Sequence, residues 1–123
     1  MTVKELYESI GGSYEDALRT LMMDRMIERF IVKLLDDTSC ERLLAAYAAG
    51  DGAGIFEGAH AMKGVCGNLG LTGLSRQASA VADEFRPGNA RSMSDEELER
   101  AIAEIRAAYE RSIEGIRRFA AER

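Results

Sequence analysis

Apolar residues recur at three- and four-residue spacings along almost the whole chain, and no stretch alternates with period two for long enough to form a strand. Val3 to Ile10 reads as a short first helix, closed by Gly11-Gly12. Ser13 opens the next, with Asp16 in the acidic place of a capping box, and the segment runs through Met22 and Met23 to a break near Asp24. Ile27, Phe30 or Ile31, Leu34 and Leu35 continue the stripe, with Met22, Met23 and Met26 as core filler. Thr38-Ser39 signals a short helix carrying Leu43, Leu44 and Tyr47 and ending at Gly50. Asp51 caps a helix that reaches Asn68, Gly70 stops it, and Thr72 begins another with Leu74, Ala78, Val81 and Phe85. Pro87-Gly88 is the clearest stop in the chain. Ser94 and Glu97 then form an S-x-x-E box before a long last helix with Leu98, Ile102, Ile105, Tyr109, Ile113, Ile116 and Ala120 inside. Four longer amphipathic helices with short connections predict an all-α, antiparallel up-and-down four-helix bundle, with one or two short additional N-terminal helices.

Length and charge narrow the classes. With 123 residues the chain fills one domain, residues 1–123, and one core. A net charge of −5 speaks against a general nucleic-acid binder, which needs a basic stripe. No apolar run approaches the roughly 18 residues of a membrane span. Met1 to Ile10 carries lysine and acidic residues where an export signal carries an apolar run. Cys40 and Cys66 make neither a disulfide framework nor a zinc site, so a cytoplasmic protein with reduced thiols is expected. The apolar stripes are consumed within one bundle, which predicts a monomer.

One segment breaks the ordinary pattern. Eight of the 12 glycines lie between Gly50 and Gly73, although glycine inside a helix costs roughly 1 kcal/mol relative to alanine. Ile55, Ala59, Met62, Cys66 and Leu69 form the buried seam of this helix. At about 100° per residue, His60, the only histidine, lies about 140° from the middle of that seam and faces solvent. Phe56, Lys63, Gly64 and Gly67 are its helical neighbours on the same side. An exposed imidazole is a nucleophile able to carry a phosphoryl group on nitrogen. An ammonium three residues on can balance the added charge, and bare glycine backbone admits a bulky partner. The glycines lack the order of a nucleotide-binding loop and do not follow a strand, so the chain shows no evident means of drawing a phosphoryl group from ATP.

The run His60-Ala61-Met62-Lys63-Gly64-Val65-Cys66-Gly67-Asn68-Leu69-Gly70-Leu71 resembles the histidine-containing phosphotransfer (HPt) domains of two-component phosphorelays. The resemblance implies a four-helix bundle with a phospho-accepting histidine, His60, modified on Nε2. Lys63 would support the phosphoryl group and Gly64 would leave room for a receiver domain. A response regulator's receiver domain or a hybrid sensor histidine kinase would be the partner, no cofactor would be held by the chain, and Mg²⁺ would sit on the receiver. In this reading the chain is a free-standing phosphocarrier and not an enzyme. Gly67 joins Gly64 in admitting the partner, and Phe56 and Leu71 are candidate apolar contacts. Phe56 is equally readable as a ring tucked against the bundle edge.

The sequence departs from the family at one place. Some members set a glutamine on the following helix against the imidazole; counting along places Ala82 there, with Gln77 and Ser79 as nearby alternatives. The competing class is an unphosphorylated helical adaptor, and within the relay class a phosphate sink fits the same residues.

Overall fold

Helix starts favour places where an amide proton left unpaired by the first turn can be met. In the computed structural model, which describes residues 1–123, the chain forms seven α-helices: α1 (Val3–Ile10), α2 (Tyr14–Leu21), α3 (Asp24–Lys33), α4 (Ser39–Ala49), α5 (Gly52–Asn68), α6 (Thr72–Phe85) and α7 (Asp95–Ala121). At α1, α2, α5 and α7 the side-chain oxygen of the preceding residue accepts one such proton. One 3-10 turn, Leu34–Asp36, joins α3 to the loop before α4. Thr2 with Glu5 and Ser94 with Glu97 form complete capping boxes at α1 and α7.

Two expected caps are built differently. Ser13 Oγ accepts the Asp16 amide, but the Asp16 carboxylate does not return to the start of the helix. It accepts the Thr72 hydroxyl at 2.8 Å and pairs with Arg19, so it ties α2 to the start of α6. At α4 the cap is Asp37, whose carboxylate accepts both the amide and the hydroxyl of Ser39, while Thr38 caps nothing.

Helices α4 to α7 form the bundle, closed by contacts of α4 and α6 with α7. Neighbours run antiparallel: Gly58 meets Leu43 and Gly54 meets Ala46 between α5 and α4, while Gly52 meets Phe85 and Gly67 meets Ser75 between α5 and α6. Gly58 explains one glycine of the unusual segment. A Cβ there would stand 2.8 Å from the Leu43 backbone, so its absence sets how closely α4 approaches α5.

The buried face of α7 holds Leu98, Ile102, Ile105, Ser112, Ile116 and Phe119. The expected stripe drifted one residue late in its second half: Ile113 and Ala120 are half-buried, and Ser112 and Phe119 take the inner places. Ser112 misled the pattern because it is polar, yet its hydroxyl is satisfied by the Ala108 carbonyl at 3.0 Å.

In front of the bundle α1, α2 and α3 make three short helices, because the Ser13–Leu35 stretch breaks at Met22–Met23. Met22 adopts φ +76° there, and the Tyr14 hydroxyl reaches across the break to Asp24. The break lifts both methionines off the apolar stripe: Met22 is 76% and Met23 49% exposed, so neither fills the core.

These front helices grip the turn after α5. Tyr7, fully buried, donates its hydroxyl to the Leu69 carbonyl at 2.6 Å, and the Ser13 amide donates to the Gly70 carbonyl at 2.7 Å. Desolvation pushes the Tyr7 hydroxyl far above its ordinary pKa, which keeps it a donor. Gly70 takes φ +72° against α2.

Candidate functional site

The site lies on α5, and its N-terminal cap sets the phase of everything on it. Asp51 accepts the Gly54 amide at 3.1 Å, and Ile55, Ala59, Met62 and Cys66 are driven inward by the bundle. His60 is thereby turned out and is exposed, as the helical phase predicts. Gly64, one turn on, is also exposed, and a Cβ added to it would meet nothing within 4 Å. No packing demand inside the chain accounts for a glycine at this position.

Phe56, one turn before His60, is half-buried, and its ring stacks on the imidazole with centroids 5.5 Å apart and planes at 17°. This is the offset-stacked range of aromatic pairs. Just past the end of α6, the Arg86 guanidinium stands 5.8 Å from the Phe56 ring centroid, while pairing with Asp83 at 2.8 Å. Arg86 is the site residue that sequence reasoning missed. Its signal was the antiparallel register, which sets the end of α6 beside the start of α5.

Lys63 is half-buried on the flank toward α6, and none of the chain's six ion pairs involves it. Its carbonyl accepts the Ser75 hydroxyl at 2.9 Å. Gly67 is exposed, but its bareness has a use inside the bundle: a Cβ would sit 3.2 Å from Ser75 Oγ, crowding that bond. Leu71 is corrected. It is 3% exposed, with its side chain against Gly12 under the front helices, because the turn after α5 folds it inward; it presents nothing to a partner.

No side chain of α6 supplies the glutamine-like contact. Ala82 occupies the counted position, is 1% exposed and has no polar side-chain atom. Gln77 turns the other way, lining a separate cavity of about 180 Å³ with Ile10, Arg111 and Ser112, where its Oε1 has no partner.

The two thiols are not part of this chemistry. Both are buried, and desolvation pushes Cys40 up to about 11 and Cys66 up to about 12. At pH 8 less than about one thiol in a hundred is ionised, and the thiolate is the reactive form. Ellman's reagent at pH 8 is therefore expected to find no fast-reacting thiol in the folded protein and both after denaturation.

The chain thus presents an exposed imidazole on a helix, an ammonium three residues on that joins no ion pair, and open backbone beside both. A family model for the Hpt domain matches residues 25–115. The chain belongs to the Hpt domain family. Comparison with curated proteins and with solved structures returns no significant match. Hpt domains are phosphocarrier modules of histidine phosphotransfer in phosphorelays, and this one holds its lone histidine within the matched stretch. No helix of this Hpt domain is long and apolar enough to cross a membrane.

Proposed function

We propose that the protein carries a phosphoryl group on His60 between the receiver domains of a phosphorelay, in the cytoplasm and as a monomer. The observation that carries this reading is the outward position of the only histidine beside a glycine that the fold itself does not need. The Nε2 lone pair attacks the phosphorus of a receiver's aspartyl phosphate. The N–P bond forms as the P–O bond to the aspartyl carboxyl breaks, and the carboxylate leaves with the electron pair. With its Nδ1 proton retained, the ring becomes an N-phosphoimidazolium. Attack by a second receiver's carboxylate on phosphorus reverses the step. Lys63 balances charge on the phosphoryl oxygens, and Mg²⁺ belongs to the receiver. Such transfer depends chiefly on position and charge compensation, so a sparse protein site is sufficient.

The test is to mix the protein with a phosphorylated receiver domain and follow the label. Label that is acid-labile and alkali-stable is expected, as for a phosphohistidine. No label from several competent receivers would overturn the reading and leave the adaptor class.

Gly64 gives a second expected result. Gly64→Ala should raise stability by about 0.5–1 kcal/mol, since it gains helix propensity without a clash. Gly64→Arg should keep the fold while slowing transfer from a receiver at least about tenfold, because the added side chain stands where the partner must approach. Thermal unfolding and transfer kinetics on the two variants check both halves.

A further inference from the structure

We infer that Phe56 is the positioning residue for the His60 imidazole, doing with a ring face what a hydrogen bond from α6 would otherwise do. The inference rests on the phosphotransfer reading above. Four observations converge on it. The α6 position that counting sets against the imidazole is Ala82, which is buried and has no polar side-chain atom to offer, and Ser75 is the α6 residue whose hydroxyl is already given to the Lys63 carbonyl. The near alternative, Gln77, is committed to a cavity on the opposite side of α6. The imidazole instead lies nearly parallel to the Phe56 ring, at 5.5 Å and 17°. Phe56 is itself confined, half-buried on α5 with Arg86, the residue after α6, over its ring at 5.8 Å.

The physical consequence concerns the side-chain torsions of His60. A solvent-facing imidazole on a helix samples more than one rotamer, and each unproductive one subtracts from the fraction ready to attack. A stacked neighbour one turn away restricts the ring plane and leaves the ring edge, which bears the nitrogens, free. The same face also suits the product. A phosphoimidazolium ring carries positive charge, and an aromatic face attracts a cation. Phe56 thus favours both the attacking geometry and the charged ring that results, without touching the phosphorus.

This assigns Phe56 a role distinct from docking, and the two are separable. The experiment compares the wild type with Phe56→Leu and Phe56→Tyr, using two phosphodonors: phosphoramidate, which needs no docking surface, and a phosphorylated receiver domain. Phe56→Leu is expected to slow labelling by both donors about five- to tenfold. With the receiver, the maximal rate should fall while the half-saturating receiver concentration stays the same. Phe56→Tyr should restore both rates. Proton NMR supplies a readout that general loosening would not move: the His60 ring protons should show a ring-current displacement in the wild type and Phe56→Tyr that is lost in Phe56→Leu. If only receiver transfer slows, with a higher half-saturating concentration, Phe56 is a docking residue and the proposal is overturned. Equal labelling of Phe56→Leu and the wild type by both donors overturns it as well. A wild type labelled by neither donor overturns the phosphotransfer reading and this proposal with it.

Discussion

His60→Gln is expected to take no label from a phosphorylated receiver, and to do so without loss of fold. The functional half follows from inventory. The chain has one histidine, so no second imidazole can carry an N–P bond. Its two thiols are buried and held protonated by burial, so they do not stand in. The structural half follows from position. His60 is exposed on a helix whose stability comes from its opposite face, and glutamine is a good helix former. The stability change should fall within about 0.5 kcal/mol, as for surface substitutions generally. Circular dichroism melts alongside the transfer assay check the pair of outcomes. Acid-labile label persisting on the variant would place the phosphoryl group elsewhere.

Gly70→Ala should have the largest effect on stability. At φ +72° a side chain is strained by about 1 kcal/mol. The added Cβ would also lie 2.5 Å from the Ser13 carbonyl oxygen and 2.7 Å from the Ala17 amide nitrogen, both backbone atoms that move only if α2 moves. Overpacking of this kind costs about 1–3 kcal/mol. The same displacement stretches the Ser13–Gly70 hydrogen bond, now 2.7 Å. A total of about 3 kcal/mol corresponds to a melting temperature lowered by roughly 10 °C for a chain of this size. Thermal unfolding of this variant beside Gly64→Ala makes the contrast direct: two exchanges in one segment, with opposite signs. A melting temperature within about 2 °C of the wild type would mean that α2 yields without cost.

What the sequence made legible follows from which forces are local. Helix starts at Asp51 and Ser94 were readable because a cap acts over three residues. The outward face of His60 was readable because the helical period is fixed by backbone geometry. At α4 the cap signal was read at Thr38-Ser39 and the Asp36-Asp37 pair as cap and surface charge, and only the folded loop shows that Asp37 takes the Ser39 amide. Leu71 was misplaced because whether it lies on a surface or under α1 depends on residues about sixty positions earlier. Arg86 escaped notice for the same reason, since its neighbour Phe56 is thirty residues away in sequence. Met22 and Met23 show the converse error. Their apolar character argued for burial, and a single turn at Met22 removed the helix face that would have buried them.

The grip of the front helices on the turn after α5 separates two boundaries that are easily taken for one. The stretch recognisable as an Hpt domain begins at residue 25, yet Tyr7, Ser13 and Asp16, which hold the Leu69 carbonyl, the Gly70 carbonyl and the Thr72 hydroxyl, all precede it. A fragment trimmed to the recognisable stretch would strand two carbonyls at the foot of the helix that bears His60, and would open Leu71 to water. The packing that supports the His60-bearing helix therefore begins before the family signature does, and α1 and α2 belong to its foundation.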